Sequence, residues 1–377
     1  MIPINKPWMG EEEKLEVTSV LEENALTSAA RDGGKRVRQF ESLLKSYLKT
    51  RNVISVNSGT ASIHAALLAA GIKQGDEVLL PSFTFVATAN AVVAAGGRPI
   101  FVDIKKDDYT MDVSDLKSKI TNKSKVILPV HLYGHPSDLD EISELANKYS
   151  LDLIEDACQS LGSTYKKKQT GTFGTLGCFS LYASKVLTAG EGGAVATDSD
   201  ELADKLKMIR NHGMIEGHDT SMLGLNLRLP ELSAAVAKVQ IQKLDKMLEI
   251  RRHNAELLSK LLLSFSSSSK KYGLKIPEES DDKKYNWYLY TIAFQDSRDR
   301  IKDYLLQNNI GATVYYSPPV HNMPFYLQVA PKTKLPATEW CADHVLSVPV
   351  HPQVTEADIE HMALSLKSII EKTTAMS

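Results

Sequence analysis

A lysine stands between an apolar run and a glycine cluster in the stretch "FSLYASKVLTAGEGGAVATD", Phe179–Asp198. The run "CFSLYA" is typical of a strand, so Lys185 would lie just past the strand's carboxyl end. Gly190, Gly192 and Gly193 would allow a tight turn before the next strand begins. An amine in this place could form an imine with an aldehyde. Because most lysines are solvated surface side chains, Lys185 alone does not establish such chemistry.

Two carboxylates end another apolar run in "LIEDACQS", Leu153–Ser160. Glu155 and Asp156 would lie at the mouth of a buried strand, with Gln159 three residues after Asp156. A buried carboxylate is costly unless a cation or several hydrogen-bond donors compensate it. The pair therefore indicates either a binding site for a cation or a structural salt bridge or helix cap.

Two further strand ends carry groups that suit a ligand. In "SVNSGTAS", Ser58, Gly59 and Thr60 lead from a strand into a helix, where free amides and hydroxyls can bind phosphate. An ordinary polar helix cap is the alternative, and the motif is neither GxGxxG nor GxxxxGK. In "PSFTFVAT", the ring of Phe85 could lie on a planar cofactor or belong to the core.

Together these residues match the needs of pyridoxal phosphate. That cofactor requires an amine for its aldehyde, an anion for its ring nitrogen, a ring on its face and a cradle for its phosphate. Lys185, Asp156 and Phe85 supply the first three groups. Ser58, Gly59 and Thr60, together with Ser180 beside the lysine, supply the cradle.

The surrounding elements must bring these strand ends together. From Arg51 to Asp198, short β-rich runs alternate with helical stretches, which predicts an α/β fold with a mainly parallel sheet covered on both faces. Ligands of such sheets bind at the carboxyl ends of the strands. After Pro230, apolar periodicity predicts one long helix or a kinked pair, broken by the serine run Ser266–Ser269.

The remainder of the chain reads as a smaller α+β domain, with a last helix capped by Thr355 and Asp358. We expect a large domain over residues 1–250 and a small one over residues 251–377. Residues 1–25 would pack on the small domain.

Composition excludes several classes of protein. The 377 residues carry a net charge of −2, which gives no broad attraction for nucleic acid or an anionic membrane. The three cysteines form no CxxC pair, so neither a metal site nor a disulfide framework is predicted. The apolar runs are too short to span a bilayer and the opening residues have no signal-like core, so we expect a cytoplasmic protein.

The motifs resemble the DegT/StrS-type family of pyridoxal-phosphate-dependent sugar aminotransferases over nearly the whole chain. The resemblance rests on "NSGTAS", "PSFTFVATANAV", "HLYGHPSDLD", "EDACQS", "FSLYASKVLTAGEGG", "LGLNLRLPELSAA" and "YYSPPVHNMPFY". It implies a fold-type I homodimer with active sites shared between the subunits.

The resemblance also implies a role for each matching residue. Lys185 would carry the Schiff base, and Asp156 would pair with the pyridine nitrogen. The other implied contacts are Gln159 with the ring's phenolic oxygen, Phe85 with the ring face, Ser58, Gly59, Thr60 and Ser180 with the phosphate, Asn226 with the phosphate of the other subunit, and His321 and Tyr315 with the substrate.

The implied activity is transfer of an amino group from glutamate or glutamine to a nucleotide-linked keto-sugar by a ping-pong mechanism. A keto-cyclitol acceptor and a non-catalytic regulatory protein that binds the cofactor are alternatives. Related dehydratases carry histidine in place of the lysine, so Lys185 argues against them. The absence of GxGxxG after the first strand argues against a nicotinamide-dependent oxidoreductase.

The chain also departs from the family pattern. Val186 stands where a polar residue or proline is often found, and Leu227 stands where an aromatic residue is frequent. The segment Asn24–Glu41 is longer and more basic than the usual short glycine turn. We expect it to form a loop that borders the substrate, where Arg31, Lys35, Arg36 and Arg38 either bind a diphosphate or form a solvated run of charge.

Overall fold

A seven-stranded sheet forms the centre of the protein. The structure is a computed structural model, and it describes residues 1–215, 219–264 and 274–374. The strands lie in the order β1-β9-β8-β5-β4-β2-β3. Their bounds are β1 Asn52–Val56, β2 Glu77–Pro81, β3 Arg98–Val102, β4 Ser124–Ile127, β5 Asp152–Asp156, β8 Leu176–Ser180 and β9 Gly193–Thr197. Strand β9 runs antiparallel to β1 and β8, whereas the other neighbouring pairs are parallel. The prediction of a mainly parallel sheet is confirmed.

Both faces of this sheet are buried. Neighbouring residues of one strand point to opposite sides of the sheet, and residues on both sides pack against helices. On β8, Phe179 packs in a cluster with Phe40 and Leu244, which lie on two helices of one face. The adjacent Cys178 packs with Leu67 and helices of the other face. This two-sided burial is why the strands read as continuous apolar runs in the sequence.

Helices alternate with these strands along the chain. Their bounds are α1 Glu11–Glu22, α2 Lys35–Leu48, α3 Gly59–Ala69, α4 Ala87–Ala94, α5 Val113–Lys119, α6 Leu139–Tyr149 and α7 Asp200–Arg210. A small three-stranded sheet joins β6 Thr164–Tyr165 and β7 Lys168–Gln169 to β10 Lys283–Lys284. In the described part of the chain, no helix combines the length and apolarity needed to cross a bilayer.

One long helix, α8 Glu231–Ser264, links the two predicted domains. Its beginning packs on α1 and α2, and its end packs on the last helix, Glu356–Thr374. The first of the two alternatives, an unbroken helix, is the one observed. The serine run Ser266–Ser269 lies outside the described residues. Residues 250 and 251 fall within this helix, and the domain division there stays a prediction.

A third apolar cluster forms the core of the C-terminal region. It surrounds the antiparallel strands Tyr290–Ala293 and Val345–Val348. The other helices of the region span Arg298–Gln307, Tyr326–Val329, Pro336–His344 and Glu356–Thr374. Thr355 and Asp358 cap the last helix reciprocally, because the Asp358 amide donates to Thr355 Oγ1 and the Thr355 amide donates to Asp358 Oδ2. The predicted cap is confirmed.

The first residues of the chain contact this same region. The Ile2 amide donates to the carbonyl of Asn309 at 2.7 Å, and the Gly311 amide donates to the carbonyl of Ile2 at 2.7 Å. His351 Nε2 lies 2.9 Å from the carbonyl of Pro3. Helix α1 then turns away to pack on α8.

The expectation of a loop over Asn24–Glu41 is wrong for its second part, because α2 begins at Lys35. Val37, Phe40, Leu44 and Leu48 lie at helical spacing and are buried, so packing stabilises the helix. The Glu231 carboxylate accepts hydrogen bonds from the backbone amides of residues 36 and 37 at 2.8 and 3.2 Å and caps the helix start.

The basic side chains of this segment are already paired. Arg36 is buried, and its guanidinium binds Glu16, Glu23 and Ser19. It thereby lowers the pKa of Glu23 to about 2. Arg36 is therefore a structural cation that holds α2 against α1, neither a solvated charge nor a ligand for a diphosphate. Arg31, Lys35 and Arg38 bond to Asp204, Glu23 and the carbonyl of Gly33, respectively.

Candidate active site

The ends of β5 and β8 meet the start of α3 around a cavity of about 460 Å³. This cavity collects most of the residues that the sequence singled out. Those that line it are Ser58, Gly59, Thr60, Phe85, Asp156, Gln159, Ser180, Lys185 and Tyr315. The convergence follows from the parallel sheet, which places the carboxyl ends of its strands along one edge.

The start of α3 forms a cradle beside Ser180. Ser58 caps the helix, since its Oγ accepts a hydrogen bond from the Ala61 amide at 3.0 Å. A Cβ atom on Gly59 would lie 2.6 Å from the Cβ of Ser180, so only glycine fits there. A Cβ atom on Gly193 would lie 2.3 Å from the carbonyl oxygen of Ser58. These two glycines let the start of α3 lie close to β8 and β9, and the free amides at a helix start can bind a small anion.

Asp156 presents a buried carboxylate to the same cavity. Its Oδ2 accepts a hydrogen bond from Thr88 Oγ1 at 2.8 Å, and its Oδ1 accepts one from the Cys158 amide at 3.1 Å. In the described part of the chain these are the hydrogen bonds found for the carboxylate, so it keeps capacity for a donor from a ligand. A cationic ring nitrogen in the cavity would complete the coordination of this carboxylate.

Lys185 follows β8 in a loop that closes on itself. The Lys185 amide donates to the carbonyl of Tyr182 at 2.8 Å, and the Leu181 amide donates to the carbonyl of Gly192 at 2.8 Å. The side chain is partly buried, and its Nζ lies 4.6 Å from the centre of the Tyr288 ring. The face of an aromatic ring attracts an ammonium group, so Tyr288 holds the amine at the cavity wall. Val186, the departure from the family pattern, is buried in the core.

Gln159 connects the cavity to a cluster of tyrosines. Its Oε1 accepts a hydrogen bond from the Tyr133 amide at 2.9 Å, which fixes the orientation of the side-chain amide. Its Nε2 therefore donates to the hydroxyl of Tyr316 at 3.1 Å. Burial raises the pKa of Tyr316 well above its usual value, so this phenol remains neutral and can act as a donor.

Phe85 is an exposed aromatic residue at the cavity, not a core residue. It keeps 53% of its surface accessible, and its ring centre lies 6.0 Å from that of Tyr316. Thr84 and Thr88 on either side of it are buried. Thr84 before α4 and Thr88 in the first turn of α4 therefore anchor this segment, while Phe85 between them remains free to cover a planar ligand.

Two predicted residues do not line the cavity of the single chain. Asn226 is exposed, and its segment is tied to the start of α3, because the Asn57 amide donates to the carbonyl of Leu227 at 2.9 Å. His321 is buried with its Nδ1 2.6 Å from Ser82 Oγ and its Nε2 3.3 Å from Glu339. Burial lowers the pKa of His321. The contacts with phosphate and with substrate stay predictions for these two residues.

The cavity also contains residues that sequence reasoning missed. These are Ile63, Thr84, Ala87, Thr88, Cys158, Tyr182, Ser184, Glu191, Tyr288 and Tyr316. Thr88 lies inside the motif "PSFTFVATANAV" and Tyr316 inside "YYSPPVHNMPFY". Their closeness to matched residues in these motifs is the signal that could have identified them. Tyr288 lies far from Lys185 in the sequence, and no spacing rule connects the two.

A model of the DegT/DnrJ/EryC1/StrS aminotransferase family matches residues 7–367. The chain belongs to this family. A GDP-perosamine synthase from Vibrio cholerae is 30% identical to this chain, and the match covers 98% of the chain and 99% of the relative. A pleiotropic regulatory protein from Geobacillus stearothermophilus is 35% identical over 93% of the chain and 94% of the relative.

Among solved structures, NtdA from Bacillus subtilis with bound cofactor PMP has a TM-score of 0.86 and 32% identity. The match covers 96% of this chain and 82% of that one. The fold is that of fold-type I aminotransferases, and the protein is an aminotransferase whose cofactor is pyridoxal 5'-phosphate.

The cavity fits this cofactor. Ser58, Gly59 and Thr60 at the start of α3 line the cavity together with Ser180, and this close approach requires glycine at position 59 because a Cβ atom there would clash with the Ser180 side chain. Among the described residues the Asp156 carboxylate keeps acceptor capacity for a ligand, and Lys185 lines the same cavity. A carboxylate, an amine and the start of a helix, which are groups that could hold this cofactor, therefore line a single cavity.

Proposed function

We propose that this aminotransferase moves an amino group from glutamate or glutamine to a nucleotide-linked keto-sugar in a ping-pong reaction. The observation that carries the proposal is the single cavity shared by Lys185, Asp156 and the cradle at Ser58, Gly59, Thr60 and Ser180. A relative over almost the whole chain is a GDP-perosamine synthase, which supports a nucleotide-linked sugar as the acceptor.

The residues would divide the chemistry among them. When bound, the cofactor supplies an electron sink for a carbanion on the substrate carbon. Asp156 would keep the ring nitrogen protonated, and Phe85 would cover the ring face. Lys185 would hold the cofactor in the resting enzyme. Once displaced by the amino donor, its Nζ would take a proton from the donor's α-carbon and deliver it to the carbon that carries the cofactor's aldehyde.

The wall of the cavity suits the uncharged part of a sugar. Four tyrosines line it, namely Tyr182, Tyr288, Tyr315 and Tyr316, and they offer ring faces and hydroxyl groups. Among the lining residues in the described part of the chain, Lys185 is the one cation. Since the cofactor requires that amine, an acceptor's diphosphate would have to bind outside the cavity, near its mouth.

We further propose that two copies of the chain form the working enzyme. Asn226 is exposed and its loop adjoins the phosphate cradle of its own chain, yet it does not line that chain's cavity. An asparagine in this position would complete the phosphate site of a second copy. A mixture of Asn226→Ala and Lys185→Ala subunits tests this arrangement. If sites are shared, mixed dimers contain one site with neither change and regain about half the parent activity.

The direct test starts from the amino form of the enzyme. The protein is converted with excess glutamate, freed of donor and mixed with nucleotide keto-sugars or with keto-inositols, while the visible absorbance of the lysine-linked cofactor is followed. Recovery with a nucleotide keto-sugar alone supports the proposal, and recovery with a keto-inositol alone supports the cyclitol alternative. A purified protein that has no such absorbance and is unchanged by borohydride would support a regulatory role, as the name of one relative suggests.

Lys185→Ala provides the matched control for this assay. The variant should bind the cofactor without a covalent link and should show no detectable amino transfer, while its fold and oligomeric state remain unchanged. Turnover at the parent rate would remove Lys185 from the reaction.

A further inference from the structure

Thr88, the second residue of α4, contacts the carboxylate of Asp156. Its Oγ1 lies 2.8 Å from Asp156 Oδ2, 3.0 Å from Thr84 Oγ1 and 3.2 Å from the carbonyl oxygen of Phe85. All of the oxygens near it are buried or partly buried in the fold. Thr88 itself is 1% exposed.

A count of protons assigns the direction of these bonds. A hydroxyl group donates one proton and can accept two. The carbonyl of Phe85 and the ionised carboxylate of Asp156 are both acceptors and compete for the Thr88 proton. The carboxylate is closer and carries a charge, so it receives the proton. Thr84 then donates to Thr88, which gives a chain from Thr84 through Thr88 to Asp156.

We propose that Thr88 is a positioning residue that keeps the Asp156 carboxylate aimed at the ring nitrogen of the cofactor. The inference rests on the role proposed above for Asp156. The Cys158 amide holds Oδ1 and Thr88 holds Oδ2, so the two donors together fix the plane of the carboxylate. With either donor missing, the group could rotate about its last bond and lose alignment with the ring nitrogen.

The position of Thr88 in the chain gives this contact a second consequence. Thr88 follows Phe85 by three residues, and the Thr88 amide donates to the Phe85 carbonyl at 3.2 Å. One turn of backbone thus sets both the ring that covers the cofactor and the donor that orients its anion. A shift of this turn would disturb both contacts at once.

The test compares Thr88→Val with Thr88→Ser in the holoenzyme. Valine keeps the volume of threonine and removes the donor, whereas serine keeps the donor. The state of the ring nitrogen is measured by nitrogen NMR with ring-labelled cofactor between pH 6 and 9, and the cofactor dissociation constant is measured by dialysis. We expect Thr88→Val to shift the ring nitrogen toward its neutral form and to weaken cofactor binding about tenfold, because a hydrogen bond to a charged group is lost. Thr88→Ser should restore both values to within about twofold of the parent.

Thr291→Val is the matched structural control. Thr291 is also fully buried, and its hydroxyl bonds to Ser347 Oγ at 2.9 Å in the C-terminal region, away from the cavity. If Thr88→Val lowers the melting temperature as Thr291→Val does, yet leaves the ring nitrogen and cofactor affinity at parent values, the positioning role is wrong. If Thr88→Val does not fold, Thr88→Cys replaces it, since a thiol is a weaker donor and should shift the nitrogen in the same direction. A parent enzyme whose ring nitrogen is neutral throughout would instead refute the role of Asp156 itself.

Discussion

Two adjacent carboxylates at the end of β5 have opposite surroundings. Glu155 is fully buried, and four donors surround it. They are His131 Nε2 and the backbone amides of Gly171, Phe173 and Gly174, at 2.6 to 3.0 Å. Asp156 accepts two hydrogen bonds from residues that the structure describes, and it lines the cavity. The difference is in the donors: the first carboxylate is saturated by the protein, and the second keeps capacity for a ligand.

His131 donates to Glu155 as a neutral ring, so the burial of this carboxylate does not require a positively charged histidine. The Ser137 amide donates to His131 Nδ1 at 3.1 Å, so that nitrogen must be an acceptor. The ring proton of the neutral histidine therefore lies on Nε2, which donates to Glu155. Glu155 holds the loop at residues 171–174 and the turn at residue 131 against β5. Its role is structural, and the comparison teaches that a carboxylate saturated by protein donors has no capacity left for a ligand.

The largest expected effect comes from neutralising the unsaturated member. Asp156→Asn should retain the fold and bound cofactor but lose amino transfer by roughly 100-fold to 1000-fold, as when a preorganised electrostatic partner is removed. Single-turnover rates with glutamate measure the loss independently of product release. An unchanged rate would contradict the pairing of Asp156 with the ring nitrogen and would leave the two carboxylates functionally alike.

The matching change on the saturated side should affect stability instead. In Glu155→Gln, one carboxylate oxygen becomes an NH₂ group that faces two donors, whichever way the amide is turned. We expect a loss of about 3 kcal/mol in the free energy of unfolding, because buried donors lose their acceptor. Denaturant unfolding measures this loss. Activity per folded molecule should stay near the parent value, and a selective loss of activity would place Glu155 in the chemistry.

A change of pH should affect the stability of the turn that contains His131 and His135. His135 lies on the same turn as His131, is stacked on Tyr285 at 4.0 Å and has its Nδ1 3.2 Å from the carbonyl of Asp108. Burial lowers its pKa from 6.5 to about 4, with the Asp108 carboxylate opposing this shift and Lys283 adding to it. The unfolded chain therefore binds a proton at higher pH than the folded one does. Stability is complete above pH 6.5 and falls as the pH drops toward 4, by up to about 3 kcal/mol for this group.

The measurement is the melting temperature as a function of pH. His135→Phe keeps an aromatic ring against Tyr285 but cannot bind a proton, so its melting temperature should fall less steeply between pH 6.5 and 4. Part of the slope should remain, since burial also lowers the pKa of His351 to about 4. Equal slopes for parent and variant would show that the turn at His135 opens before it takes up a proton.

The sequence predicted which residues come together at the site better than it predicted the hydrogen-bond partners of those residues. Lys185, Asp156 and the cradle at Gly59 follow strand ends, and a parallel sheet brings such ends together whatever the loops do. The long helix and the cap at Thr355 follow from local periodicity and local hydrogen bonding, so they were predictable as well. These features depend on rules that act within a few residues or within one sheet.

The rest depends on contacts between distant segments. The sequence assigns Asp156 to the ring nitrogen but does not predict the structural role of Glu155, because the amides that bind Glu155 come from a loop more than ten residues away. Likewise, Arg36 reads as part of a solvated basic run, yet acidic groups of α1 bury it. Charge and exposure in such cases are set by which loop packs where, and no periodic pattern records that choice.

The smallest expected effect concerns the exposed ring that faces the unsaturated carboxylate's cavity. Phe85→Leu should weaken cofactor binding by about 1 kcal/mol, roughly fivefold, because stacking is lost while an apolar surface remains. Phe325→Leu is the matched control, since Phe325 is similarly exposed at 50% but does not line the cavity. Cofactor affinity measured by dialysis should change in the first variant and not in the second. Equal affinities would mean that Phe85 covers no part of the ring. Cofactor affinity would then depend on Lys185, Asp156 and the cradle at the start of α3.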